Sequence, residues 1–207
     1  MPELGLFPLT LVLVPTERVP LHIFEPRYKE LVADCIERGE EFGLVLAAGD
    51  GAVHEVGTRA AVAEVLERLP DGRMNIVIEG GDRFRLLELT SGHSYATAEV
   101  EEVVDEDDPA DAAETARALE LFGELAETAG ADVDTPSQDS PLLDFELTAR
   151  VDFGVEAKQE LLASTSPRER MTKLVGLLET ALESVRLERE LQQRASGNGK
   201  VAPLDPD

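Results

Sequence analysis

Short apolar runs broken by turn residues fill the first half of the chain, and helical stripes fill the second. Leu9 to Val14 is an apolar run bounded by Pro8 and Pro15 and reads as a buried strand. Pro20 and Pro26 fix the backbone direction on either side of another short strand. Phe42 to Ala47 is a third run, closed by Gly49, Asp50 and Gly51. Ala60 to Leu69 and Met74 to Glu79 flank Pro70-Asp71-Gly72-Arg73, where proline presets φ and glycine supplies a positive φ; this predicts a hairpin. Phe84 to Leu89 and Tyr95 to Val104 add two more strands. Many short strands with frequent turns favour a closed or nearly closed barrel, because closure removes exposed edges.

One helix interrupts the strands. Tyr28, Leu31, Val32, Cys35 and Ile36 recur at helical spacing after Pro26, and Gly39 is placed to end the helix in the left-handed conformation. Such a helix is placed to cover one end of the barrel. Beyond Val104 an acidic run, Asp105 to Asp108, ends at Pro109. It lacks the alternating oxygen ligands, central glycine and terminal glutamate of a calcium loop, so it reads as a solvated linker. Asp108 and Pro109 have the residue types of an N-cap and first helical position.

The helical stripes follow. Ala118, Leu121, Phe122, Leu125 and Ala129 form the first, ended at Gly130. Ser140-Pro141 starts a second helix, whose apolar residues from Leu142 to Val151 point all round and so require neighbours on more than one side. A short third helix covers Glu156 to Ala163. Ser166-Pro167-Arg168-Glu169 has capping-box spacing and opens the last helix, with Met171, Leu174, Val175, Leu178, Leu182 and Val185 on one stripe. Continued to Gln193, that helix is roughly 40 Å long. The sequence therefore predicts an α+β protein: a β-barrel lobe over residues 1–104, an acidic linker over 105–110, a helical bundle over 111–193 and a disordered tail over 194–207.

Charge narrows the partners. Nineteen Lys and Arg against 43 Asp and Glu leave a net charge of −24 in 207 residues. That field repels phosphate backbones and anionic bilayers, so neither nucleic acid nor membrane is expected as a partner. The single cysteine, Cys35, cannot form an internal disulfide and falls on the apolar face of the first helix. The N-terminal apolar stretch is broken by Pro8, too short to span a bilayer and without a signal peptide's layout; the expectation is a cytoplasmic protein.

Catalytic patterns do not emerge. His22, His54 and His93 are isolated, and one cysteine does not build a zinc site. There is no G-x-S-x-G elbow, and Gly197-Asn198-Gly199-Lys200 lacks the Ser or Thr of a phosphate loop. No metal or other cofactor, and no enzymatic activity, is expected.

Near the N-terminus Leu6-Phe7-Pro8-Leu9, Val14-Pro15 and the run from Pro20 through His22, Phe24, Glu25, Pro26 and Arg27 to Tyr28 stand together. Phe42-Gly43-Leu44-Val45, Val56-Gly57-Thr58, Asp71-Gly72-Arg73, Gly80-Gly81-Asp82-Arg83-Phe84, Lys158 to Leu162 and Arg168-Glu169-Arg170 follow in order. In this ordered set the chain resembles the N-terminal, substrate-binding domain family of Lon proteases, over nearly everything from Leu4 to Leu191. The resemblance implies a PUA-like barrel joined to a helical bundle, and a standalone module without the ATPase and peptidase domains. It implies a module that holds exposed apolar stretches of unfolded or misfolded polypeptide, in a groove between barrel and bundle or by strand addition at a barrel edge. The alternative is a scaffold or regulator of a folded partner such as a protease, gripped through the last helix. Phe7, Pro8, Pro20, His22, Glu25, Pro26, Arg27, Gly57 and Gly80 are then motif residues that shape the fold, with Glu25 placed to cap the first helix and Arg27 to pair with a carboxylate. Phe7, Phe24, Phe42 and Phe84 are expected in the core and Arg83 in an ion pair, while Phe24, Tyr28, Arg83 and Phe84 are the candidates for peptide contact.

Overall fold

Strand and helix segregate along the chain as the periodicity requires. The computed structural model describes residues 3–49 and 51–197, with the side chains of 195–197 excepted. Its strands are β1 (Glu3–Leu9), β2 (Arg18–Ile23), β3 (Phe42–Leu46), β4 (Val56–Arg68), β5 (Met74–Thr90) and β6 (Thr97–Glu102), with helix α1 (Pro26–Arg38) between β2 and β3. They form one sheet in the order β2-β5-β4-β3-β1-β6, and β6 also pairs with β5, which closes the barrel. Only β1 and β3 run parallel; α1 lies within the chain that connects them.

Alternation decides which residues reach the core. On β5 Met74, Ile76 and Ile78 point inward, and β2 contributes Ile23, with Val19 and Leu21 partly buried beside it. α1 lays Tyr28, Leu31, Val32 and Cys35 on this cluster, and the Tyr28 ring stacks on Phe7 with centroids 4.0 Å apart. Gly39 ends α1 at φ 66°. Burial, then the nearby charges of Glu40 and Asp34, pushes the Cys35 thiol up to about 11, so at neutral pH it is a small apolar residue. A second cluster gathers Leu4, Leu6, Val45, Phe84, Ala98 and Val100.

Several sequence expectations shift. Within Leu9 to Val14 only Val12, Leu13 and Val14 are fully buried; β1 stops at Leu9 and the rest is an irregular crossing. The run's apolar side chains alternate as a strand's would, Leu9, Leu11 and Leu13 toward one cluster and Val12 and Val14 toward another, but among the described residues no strand pairs with it beyond Leu9. Its backbone is met by side chains instead: the Thr58 hydroxyl donates to the Leu13 carbonyl (2.6 Å), and Val14 N–H donates to Glu17 (3.0 Å). Phe84 to Leu89 is no separate strand, because Gly80 and Gly81 do not break β5. Phe24 is exposed, since it follows Ile23, the last residue of β2, pointing away from the core, and its ring stacks on that of exposed His22. The Glu25 side chain does not cap α1; Arg27 holds it at 2.9 Å, and only the Glu25 carbonyl accepts from the first turn.

The bundle consists of α2 (Ala112–Ala129), α3 (Leu143–Thr148), α4 (Val155–Ala163) and α5 (Pro167–Gly197). Asp111, not Asp108, caps α2, accepting from Ala113 N–H at 2.7 Å. α3 is shorter than the Ser140 start predicts; Leu143 and Leu147 face the bundle while Phe145 faces the barrel, which explains the all-round apolar pattern. Ser166 does cap α5, its Oγ accepting from Glu169 N–H at 3.1 Å. α5 packs along α2 through Leu174, Leu178 and Leu182, with Arg117–Glu179 and Arg186–Glu124 pairs outside. It continues past Gln193 to Gly197, so the first residues of the predicted tail are helical; 198–207 lie outside the described residues.

Candidate functional site

The two lobes meet at a seam that the sequence alone does not show. Val12, Val14, Leu46, Val56 and Val103 of the barrel pack against Phe145 of α3 and Leu162 of α4. Two buried arginines stand over the Phe145 ring, Arg83 from β5 at 5.2 Å and Arg170 from α5 at 4.3 Å. Arg83 donates to the Leu162 carbonyl (2.8 Å) and the Ser164 carbonyl (2.6 Å), and pairs with Asp105. Arg170 holds Asp105 (2.7 Å), Asp144 (2.6 Å) and the Ser164 carbonyl (2.8 Å). Lys158–Glu17 (2.5 Å) adds a pair between α4 and the crossing segment. The seam is therefore packed and bolted at its centre, with a hollow of about 280 Å³ beside Arg83, Asp105 and Phe145.

Asp105 and Asp108 are part of this bolt. Asp108 accepts from Ser166 Oγ and Arg168 Nε, each at 2.8 Å, so the 105–110 segment is anchored on the bundle rather than a free linker. Burial on its own raises the Asp105 pKa, but the hydrogen bonds and charge of Arg170, and then Arg83, outweigh it and hold the carboxyl below its ordinary value. A folded pKa below the unfolded value of about 3.9 gives stability that is complete above that pH and lost as pH falls through the folded value. Urea midpoints measured between about pH 6 and pH 3 should accordingly fall on acidification, and Asp105→Asn should flatten that fall.

Open space lies at the margin of the seam. A groove of about 830 Å³ runs between the end of β3 with its following turn and helix α4. Leu46, Ala47, Ala48, Val56, Val155 and Ala163 give it an apolar lining; Glu55, Glu156, Glu160 and Arg85 stand around it. Gln159 also lines it, 6% exposed; its Nε2 donates to the Val56 carbonyl at 3.0 Å, while its Oε1 is buried with no donor. Among the described residues no group of three or more His, Cys, Asp or Glu is placed to hold a metal.

The residues singled out for peptide contact are not brought together here. Tyr28 and Phe84 are core residues, Arg83 is in the bolt, and Phe24 alone is on the surface, just past the end of β2. Gly57 and Gly80 are sites of close approach: a Cβ on Gly57 would stand 2.5 Å from the Leu44 carbonyl oxygen, and one on Gly80 2.2 Å from that of Val14. His22 bonds Asn75 at the surface, and Pro8 and Pro20 sit within β1 and β2. The groove residues were missed because alanines and a glutamine in short runs carry no pattern of their own. Arg170 was legible only as part of a motif.

The profile of the family described as "ATP-dependent protease La (LON) substrate-binding domain" matches residues 3–180. The chain belongs to that Lon domain family. The Lon protease of Flavobacterium johnsoniae is 25% identical over 202 residues, and that of Anaeromyxobacter dehalogenans 26% over 203; the alignments cover 88% and 90% of this chain but 24% of each relative. The chain thus spans about a quarter of the length of those Lon proteins. A crystal structure of a Lon N-terminal domain protein from Xanthomonas campestris matches with a TM-score of 0.68 at 26% identity, covering 85% of this chain and 98% of that one. The N-terminal domain of a Mycobacterium avium complex Lon protease matches in fold with a TM-score of 0.69 at 20% identity, covering 86% and 98%. The α+β architecture described above is the Lon N-terminal fold, ending in a long helix.

Proposed function

We propose that this chain is a non-catalytic module that binds apolar stretches of unfolded polypeptide in the groove between the β3–β4 turn and α4. Family membership supplies the substrate class, since the matched domain is named for binding the substrates of a protease. The groove carries the rest: its volume of about 830 Å³ suits several side chains, and an apolar wall of Leu46, Ala47, Ala48, Val56, Val155 and Ala163 is rimmed by charged groups and holds one unmet polar acceptor. Strand addition at the barrel edge is the weaker mode. β4 beyond Ala60 has no partner on its β3 side, but its ladder with β5 is irregular between Val62 and Glu64 and again between Val65 and Glu67, the kind of bulge that deters edge pairing. The reading carries a cytoplasmic setting with it, where Cys35 stays a thiol.

Ala163 lines the groove, is exposed, and is the last residue of α4, so a large charged side chain there leaves the core intact. Ala163→Arg should weaken binding of a dye-labelled unfolded apolar client at least ~10-fold, about 1.4 kcal/mol, with an unchanged melting temperature. Undiminished binding would remove the groove from the account. A second reading, capture of a folded partner such as a protease, has one observation in its favour: Leu187 and Leu191 are both exposed, one turn apart on the far part of α5. Under that reading Ala163→Arg is silent, and Leu187→Glu with Leu191→Glu abolishes capture.

A further inference from the structure

Among the described residues, Gln159 carries the one buried side-chain polar atom without a hydrogen-bond partner. Its Nε2 bond to the Val56 carbonyl sets the amide's orientation, because turning it over would place two acceptor oxygens against each other. Oε1 is then left buried and without a donor. A buried acceptor without a donor is uncommon in folded proteins and takes its donor from a bound water or from a partner that displaces it.

The charges around the groove narrow what that partner carries. Glu156, in the first turn of α4, makes no ion pair among the described residues. Glu55 has only a long 3.9 Å approach to Arg85, which lies nearer Glu101 at 3.5 Å. Glu160 is paired with Lys173. Glu156 is thus uncommitted and Glu55 only loosely held beside an acceptor that lacks a donor; of the basic side chains at the groove, Arg85 is shared with Glu101 and His54 stands at the rim.

From these two observations we infer that the groove selects apolar segments bearing a lysine or arginine, whose cationic head donates to Gln159 Oε1 and faces Glu55 and Glu156. This rests on the groove being the polypeptide site. The aliphatic stem of a lysine suits the wall of Leu46, Ala48 and Val155, and its ammonium brings three donors and no acceptor. The chain's net charge of −24 draws such segments in from a distance, but that long-range effect does not depend on which surface carboxylates are present.

The test uses dye-labelled peptides with one apolar core and either lysine or glutamate flanks, titrated with the full chain by fluorescence anisotropy at low and high ionic strength. The lysine peptide should bind at least ~10-fold more tightly at low salt, and the gap should narrow as salt is added. Glu55→Lys with Glu156→Lys, both on exposed residues, should erase or reverse that preference with no change in melting temperature. Gln159→Met should weaken the lysine peptide and spare the glutamate one. Equal binding of both peptides, or a preference that survives the double charge reversal, overturns the inference while leaving the apolar groove standing. An equal loss for both peptides in Gln159→Met removes Gln159 from the recognition. If neither peptide binds, the polypeptide-binding reading falls first and the selectivity falls with it.

Discussion

Arg170→Met should destabilise the folded chain by about 3–5 kcal/mol, the largest effect expected of any single surface-neutral change in this molecule. Arg170 is 2% exposed and holds two carboxylates from different segments, Asp105 at the exit of the barrel and Asp144 in the first turn of α3. Removing it leaves Asp144, itself buried, facing an apolar side chain, and takes a donor from the Ser164 carbonyl. The cost is the uncompensated charge rather than the intrinsic value of the pair. The paired change Arg170→Met with Asp144→Leu should therefore recover a substantial part of the loss. Urea unfolding of the two single variants and the double variant, read as a double-mutant cycle, measures the coupling directly. A loss below about 1 kcal/mol for Arg170→Met would mean that the bolt contributes no more than an exposed pair.

Gly80→Ala is expected to cost about 3 kcal/mol, near the upper end for overpacking. The glycine lies where β5 crosses the segment after β1: its N–H donates to the Glu17 carbonyl (2.9 Å) and its carbonyl accepts from Thr16 N–H (2.8 Å). A Cβ would stand 2.2 Å from the Val14 carbonyl oxygen, and backbone tied from both directions has little room to retreat. Thr16, at φ 69°, is already in a conformation that β-branched residues rarely adopt, so this crossing has little slack. The change should be visible as a lower urea midpoint with an unchanged slope, and chemical shifts should move mainly in residues 13–17. A variant as stable as the parent would show that the crossing relaxes freely.

These two residues also show what a sequence motif records. Gly80 and Arg170 belong to the ordered set that resembles the Lon domain, and both make contacts within the fold: Gly80 where β5 crosses the segment after β1, Arg170 across the junction of the lobes. Signals that act locally were legible: the Pro70–Arg73 turn joins β4 to β5, Gly39 ends α1 and Ser166 caps α5, because each depends on the conformation of a few neighbouring residues. What was illegible depends on distant partners. The Leu9–Val14 run looks like a strand because it is apolar and alternates, and only the topology shows that no described strand pairs with it beyond Leu9. Asp105 looks like solvated linker until Arg83 and Arg170, from elements far along the chain, are seen to meet it. The groove is the same case, since Ala48, Val155 and Gln159 acquire a role only when α4 is laid beside the β3–β4 turn.

The packed seam gives the groove its firmness. With Phe145, Leu162 and both arginines fixing the lobes, the two walls are held at a set distance, and binding need not pay for closing the lobes on one another. The decisive measurement is a map of backbone amide shifts during titration with an unfolded, apolar, lysine-bearing polypeptide. The account predicts that perturbed amides cluster at residues 46–49, 54–56 and 155–163, with Phe24 and the end of α5 unaffected. Shifts confined to the region of Leu187 and Leu191, or spread thinly with no cluster at the groove, would contradict it.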